Sequence, residues 1–416
     1  MAFVATLRTR LEELSSAISR QKEVLKSLEQ TRSDVQRDLN AILDPMARLP
    51  LEISSDILMR SIPAISLPHS SRAPLVFLKI CHLWSHIALS TPALWAAIRI
   101  DSSRAREFNK FFETWIIRAR THPLTISLRG SLDDGIQDLL KHHARRLQNL
   151  ELYLDSGEPL ENLTLELSSL KSLTIGSDVS TAYVPAFFFN ADGCVETLRA
   201  APDLVECDFD NIYYEEDIHA IGNTLGPLTH TSLQILRLGR HGSDNNTTCI
   251  LQYLTLPSLH TLSITDFDIS HEDFLSFLGR SSPPLQSLYM NVPIEGWRTD
   301  TIHQYFRLLP TLTDLDLHQY DFGFLDVLAA LGDDFLPNLC HLTIRGYMPD
   351  RSEYEKLVST LTARRAYRHS PLQSFRLVWQ LLDWDDAPEA DITEALRQLR
   401  ANGMHIHVGI EEITYI

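Results

Sequence analysis

The residues best suited to chemistry are carboxylates spaced two apart. Asp314, Asp316 and His318 alternate with leucines, and Glu206, Asp208 and Asp210 alternate in the same manner. Such alternation puts every second side chain on one face of a strand. Carboxylates with an imidazole are a donor set for a divalent ion. Along a strand, though, these side chains stand roughly 6.5–7 Å apart, too far for three to share one ion easily. The repetition on two segments favours a polar sheet face over a metal site. The chain holds no G-x-G-x-x-G, Walker loop, H-E-x-x-H or G-x-S-x-G. Its cysteines, Cys81, Cys194, Cys207, Cys249 and Cys340, show no metal-ligand or redox spacing. Their odd count fits a reducing compartment, cytoplasmic or nuclear. The expectation is a chain with no catalytic residue, no metal and no cofactor.

The elements that position these side chains follow from a repeat, Leu-x-x-Leu-x-Leu. Its copies are Leu147, Leu150, Leu152; Leu170, Leu173, Ile175; a worn Leu204, Cys207, Phe209; Leu233, Leu236, Leu238; Leu259, Leu262, Ile264; Leu285, Leu288, Met290; Leu312, Leu315, Leu317; Leu339, Leu342, Ile344; and Leu372, Phe375, Leu377. They recur about every 28 residues, at the long end of the range for leucine-rich repeats. Between copies, 272–278 reads as a helix capped by Ser270 and stopped by Gly279; 301–309 and 324–331 are similar. Strand and helix in alternation give a parallel sheet with helices outside. A last helix, 391–400, capped by Asp391 with Glu394 and stopped at Asn402-Gly403, precedes the strand 405–408 and would cover one end. This resembles a leucine-rich repeat horseshoe, an α/β solenoid, although the Asn usual three residues after the last leucine is missing from most copies. On that resemblance the concave side shows Glu151, Asp208, Arg237, Tyr289, Asp316, Thr343 and Arg376, flanked by Tyr153, His318 and Arg345. Tyr and Arg suit binding hot spots, and Arg345 and Arg376 suit an acidic or phosphorylated peptide. The alternative is a solvated sheet face.

Ahead of the repeats lies Leu49-Pro50-Leu51-Glu52-Ile53, continuing to Ile57-Leu58. After a loop, 63–74, come Ile80-Cys81-His82-Leu83-Trp84-Ser85-His86-Ile87-Ala88 and Thr91-Pro92-Ala93-Leu94-Trp95. Ile53, Ile57 and Leu58 make one apolar stripe at helical spacing, and Ile80, Leu83, Trp84, Ile87 and Ala88 a second. Helices this short cannot bury both faces alone. The stretch resembles an F-box of the fungal type, whose pattern is Leu-Pro-x-Glu-Ile, Ile-Leu, Cys-x-x-Trp-x-x-Ile-Ala and Leu-Trp. It departs from that pattern at His82 and Ser85, where the family often has basic residues, and in the length of the loop. The resemblance implies docking on a Skp-type adaptor, and through it a cullin, by Leu49, Pro50, Ile53, Ile57, Leu58, Ile80, Trp84 and Trp95. Cys81 reads as a packed apolar residue. A helix from Ser102 or Ser103, with Phe108, Phe111, Phe112, Trp115 and Ile116 on one face, would join this unit to the repeat-bearing body.

Residues 6 to 43 carry a heptad whose spacing holds without a slip. Leu11, Ile18, Leu25 and Leu39 share one seam position, and Leu7, Leu14, Leu28, Val35 and Ile42 the other; Gln21 and Arg32 interrupt the seam. The helix either dimerises as a coiled coil or folds back on the body. Asp44-Pro45 ends it. The organisation is therefore 1–44 helix, 45–100 F-box, 101–146 joint helix and first strand-helix unit, and 147–416 repeats with a C-terminal cap. A net charge of −17 disfavours nucleic acid and anionic membranes. No apolar run is long enough to span a bilayer, and Arg8 and Arg10 exclude a secretory signal at the start. The resemblance implies a non-enzymatic substrate adaptor of a Skp–cullin–F-box ubiquitin ligase that binds a protein substrate. The other reading is a non-ligase interaction scaffold with a degenerate F-box.

Overall fold

The computed structural model describes residues 2–63, 65, 72–101, 108–132, 134–154, 167–177, 191–210, 226–239, 250–265, 271–291, 304–318, 324–325, 328, 335–366, 372–379, 388–411 and 414–416. It is a mixed α/β structure with a long N-terminal helix and a large, open parallel sheet. The described residues form two compact units. One runs to Ile100 and includes Phe108 to Ile126; the other takes Asp101 and the chain from Ser127. Among the described residues, no helix is long and apolar enough to cross a membrane.

The first unit opens with α1, Ala2–Leu43, which has neither Gly nor Pro to interrupt it. Asp44 then caps a 3-10 turn, Pro45–Arg48, by accepting from the Met46 amide at 2.9 Å. Next come α2 (Leu51–Ser61), α3 (Phe77–Ile80), α4 (His82–Ser90), a 3-10 turn at Pro92–Trp95, β1 (Ala97–Asp101) and α5 (Phe108–Ala119). Leu58, Phe77, Cys81, Ile87, Leu94, Trp95, Phe112, Trp115 and Ile116 are buried here. Trp95 meets Trp115 edge-on at 4.9 Å, its indole N–H donates to the Ala88 carbonyl at 2.8 Å, and the Arg118 guanidinium lies 4.5 Å over its ring. Phe112, Trp115 and Ile116 of the α5 face are thus core. Ser102, Ser103 and the side chains of Phe108 and Phe111 lie outside the described residues.

Strand β2, Leu124–Gly130, leads into the second unit. There α6 (Asp134–His143), β3 (Leu147–Leu154), β4 (Ser172–Ser177), α7 (Ala191–Ala200), β5 (Glu206–Phe209), β6 (Leu228–Thr229), β7 (Ile235–Leu238), β8 (Leu254–Thr255), β9 (Thr261–Thr265), α8 (His271–Ser281), β10 (Ser287–Asn291), β11 (Asp314–His318), β12 (His341–Gly346), α9 (Arg351–Ala366), β13 (Ser374–Trp379), α10 (Ala390–Ala401) and β14 (His405–Gly409) succeed one another. The strand order is β3-β4-β5-β7-β9-β10-β11-β12-β13-β14, while β6 pairs only with β8. Every one of these pairings is parallel. Successive strands lie side by side because each carries the same apolar pair at the same register. Leu150, Leu173, Cys207, Leu236, Leu262, Leu288, Leu315, Leu342, Phe375 and Ile406 are all buried, as is the row two residues on.

Two expectations about helices need correction, and a third helix went unforeseen. Gly279 does not stop its helix: α8 continues to Ser281 and ends at Ser282, whose φ of 41° and following Pro283-Pro284 break it. Asp391 is not the cap of the last helix, since α10 starts one residue earlier with Glu389 at the cap position and no side-chain cap bond. Asp391 instead pairs with Arg351 of α9 at 2.8 Å. Helix α9 is not anticipated from the sequence at all. Of the other expected connections, residues 304–307, 324–325 and 328 are helical, and the cap at Ser270 lies outside the described residues. The stop at Asn402-Gly403 stands, with Gly403 at φ 96°.

Candidate functional site

Two surfaces collect the candidate side chains, one in each unit. In the first, α2 has two distinct faces. Ser54 and Leu58, one turn apart, point inward; the Ser54 hydroxyl donates to the Met46 carbonyl at 3.5 Å. Ile53 and Ile57, also one turn apart, point outward and extend a line begun by Leu49; Pro50 and Leu51 are exposed beside them. Of the eight residues expected at a partner surface, Leu49, Pro50, Ile53 and Ile57 are therefore available. Leu58 and Trp95 are not, because both are sealed in the core of their own unit. Ile80 and Trp84 are half-buried. Leu51 belongs to the surface and was missed, because it falls at the unspecified position of Leu-Pro-x-Glu-Ile and outside the stripe of Ile53, Ile57 and Leu58.

Asp44 holds this arrangement. Besides capping the turn, its carboxylate accepts from the Trp84 indole N–H and lies 3.8 Å from the Cys81 sulfur. The Thr91 hydroxyl bridges the Ile87 carbonyl at 2.7 Å and Ser55 at 2.9 Å, tying the end of α4 to the flank of α2. The outward row is consequently presented on a helix fixed from behind.

In the second unit the register builds a polar row. Glu151, Thr174, Asp208, Arg237, Ser263, Tyr289, Asp316, Thr343, Arg376 and His407 are successive partners across the strands. All ten are half-buried, as expected for side chains standing between two sunken leucine rows. Arg345 and His318 pair on the next row along the same face, and the Arg129 guanidinium covers the Tyr153 ring at 4.8 Å. At Gly239 a Cβ would come within 2.7 Å of Asp210, so that edge has room for the Asp210 carboxylate and little else.

The charges on this face largely answer one another. Arg237 pairs with Glu206, and Arg345 binds both oxygens of Asp316 at 3.1 and 3.2 Å. Arg345 also reaches Glu411 at 2.9 Å, and Arg376 reaches the other oxygen of Glu411 at 3.3 Å. Glu411 belongs to no repeat and lies two residues beyond β14, so nothing in the sequence pattern pointed to it. Burial pushes the Asp316 carboxyl above its ordinary value, and Arg345 opposes this only in part. Burial likewise raises Asp208, against the pull of Arg237 and with Asp210 and Glu206 adding to the rise. For Glu411, desolvation works upward, but Arg345 and then Arg376 outweigh it and hold the group low. Burial, with Asp208 and Glu206, keeps the Cys207 thiol protonated, which disqualifies it as a nucleophile.

Asp316 is thus committed to a guanidinium rather than offered to a metal. Among the described residues, no group of three or more His, Cys, Asp or Glu side chains is gathered to hold one. What the two surfaces can do is bind: an apolar row in one unit, a charged and aromatic row in the other. No protein-family model matches the chain, and no curated protein does.

Proposed function

We propose that this chain is the substrate-recognition subunit of a Skp–cullin–F-box type ubiquitin ligase, with an F-box in its first unit and a leucine-rich repeat horseshoe in its second. The observation that supports it most is the outward row of Leu49, Pro50, Leu51, Ile53 and Ile57. A two-faced helix whose inner face is already used has no intramolecular reason to carry apolar side chains outside. A Skp-type adaptor would cover that row, and a cullin would join through the adaptor. A protein substrate would lie on the polar row from Glu151 to Arg376. Such a chain makes and breaks no bond itself; it acts by proximity, holding the substrate near a ubiquitin-loaded enzyme. The reading implies a cytosolic or nuclear location.

The test is to mix the full-length chain with a Skp-type adaptor and follow the pair by sedimentation. A stoichiometric complex is expected, abolished by Leu49→Ala with Pro50→Ala while the melting temperature stays put. If the parent chain and the adaptor sediment separately, the ligase reading fails and the non-ligase scaffold takes its place.

A further inference from the structure

The described seam of α1 faces solvent throughout: Leu11, Leu14, Ile18, Leu25, Leu28, Val35, Leu39 and Ile42 are all exposed, and so are the interrupting Gln21 and Arg32. A stripe of this length on a helix of 42 residues needs a cover. We infer that the cover is a second copy of this chain, and that the two α1 helices run antiparallel in a single register.

The argument rests on where the polar residues fall. In a parallel pair each seam residue meets its own copy, so Arg32 would face the partner's Arg32, two like charges in an apolar seam. Antiparallel helices instead set one seam position against the other. With Gln21 opposite the partner's Arg32, every remaining layer is apolar on both sides. Leu11 meets the partner's Ile42, Leu14 the partner's Leu39, Ile18 the partner's Val35, and Leu25 the partner's Leu28. The Gln21 amide oxygen then accepts from a guanidinium, and two-fold symmetry repeats the match on the other side of the centre. Sliding the pair by one heptad either way puts both Gln21 and Arg32 against leucine, so each polar side chain is buried without a polar partner.

The flanking residues agree. In this register Lys22 stands beside the partner's Glu29, an opposite-charge pair that occurs twice by symmetry. The other flanking neighbours are Ser15 with the partner's Gln36, Ala17 with the partner's Asp38, and Val24 with the partner's Thr31, none of them like-charged. A parallel pair would place Ala17 beside the partner's Lys22 and Val24 beside the partner's Glu29, with no charge pairing. The two breaks in the heptad thus specify direction and register, the best-attested use of polar seam residues. This dimer stands whether or not the ligase reading does.

The experiment uses the full-length chain. Sedimentation equilibrium should give a dimer. Lys22→Glu should weaken it roughly tenfold, since two attractive flanking pairs become repulsive, and adding Glu29→Lys in the same chain should restore it. Both positions are exposed, so folding is not at stake. A Leu11→Cys variant mixed with an Ile42→Cys variant should oxidise to a crosslink between positions 11 and 42, identified by peptide mass. Links of 11 to 11 and 42 to 42 would mean a parallel pair and overturn the register. A monomer at tens of micromolar, a failure of the double charge swap to rescue, or no 11-to-42 link would each overturn the proposal as well.

Discussion

Replacing Ile53 and Ile57 together by serine separates binding from folding more cleanly than any other change in the first unit. Ile53 is 50% and Ile57 40% exposed, whereas Leu58, the immediate neighbour of Ile57, is 1% exposed. Fully burying an isoleucine is worth about 1.5–3 kcal/mol. A partner can cover only the exposed part, which leaves about 0.6–1.5 kcal/mol for each and about 1–3 kcal/mol for both. At 1.4 kcal/mol per decade the double variant should bind a Skp-type adaptor roughly 10- to 100-fold more weakly. Its stability should barely change. Leu58→Ala should do the reverse, removing about 2–5 kcal/mol of stability while the fraction that stays folded binds normally. Calorimetric titration with the adaptor, next to thermal melts of both variants, reads out the two quantities. Parental affinity in the double serine variant would refute the reasoning; so would a melting-temperature loss as large as that of Leu58→Ala, since the row would then be core.

Three further outcomes are expected. Asp44→Ala should cost about 1.5–3 kcal/mol, because it removes a charged acceptor from the Trp84 indole and the cap of the turn at Pro45; an unchanged denaturant midpoint and unshifted tryptophan emission would show that the clamp is idle. Leu262→Ala, in the centre of the sheet, should lose about 2–5 kcal/mol in a urea melt, and a loss below about 1 kcal/mol would mean that the leucine rows are not the core. The Glu411 carboxylate is held below its ordinary 4.5, so its contact with Arg345 and Arg376 is in place above that pH and is given up as pH falls through the lowered value. Glu411→Gln should remove the negative charge from the contact at every pH and tighten binding of an acidic peptide to the second unit, measured by fluorescence polarisation; equal affinity in parent and variant would mean that Glu411 does not compete for that site.

The leucine rows were legible because a period of two with one buried face has a single solution: shifting a strand by one residue would expose all its leucines. Even the worn copy Leu204, Cys207, Phe209 fits, since packing there demands apolar volume rather than leucine. The facing of α2 was not legible. Ile57 and Leu58 are adjacent and both apolar, and the inward partner of Leu58 is Ser54, whose burial depends on a hydrogen bond to Met46 that no spacing rule reveals. Helix α9 escaped for a related reason. Its buried side chains, Tyr354, Leu357, Thr360, Leu361 and Arg364, mix polar with apolar, and Arg364 is accommodated by the Phe335 carbonyl at 2.6 Å. Trp84 with Asp44 and Arg345 with Glu411 are partners far apart in the chain, so composition predicts the residue types but not the pairing.

The pairings on the polar row also bear on what that face is for. Arg237 with Glu206 and Arg376 with Glu411 are ion pairs whose side chains are more than a third exposed on both sides. Pairs of this kind contribute about 0–1 kcal/mol each, so they do little to hold the sheet together, which the buried leucines beneath them already do. They do keep the arginines extended over the face and supplied with a weak, replaceable anion. A ligand carboxylate or phosphate that displaced Glu411 would forfeit little and would meet two guanidinium groups already in position, which lowers the ordering cost of binding. The Arg345–Asp316 pair differs: both members are three-quarters covered, and Asp316 is taken at both oxygens. Breaking it would leave a carboxylate in a poorly solvated place. An incoming acidic group should therefore exchange with Glu411 and leave Asp316 bound, so the part of the row able to change partners lies at Arg376 and the outer side of Arg345.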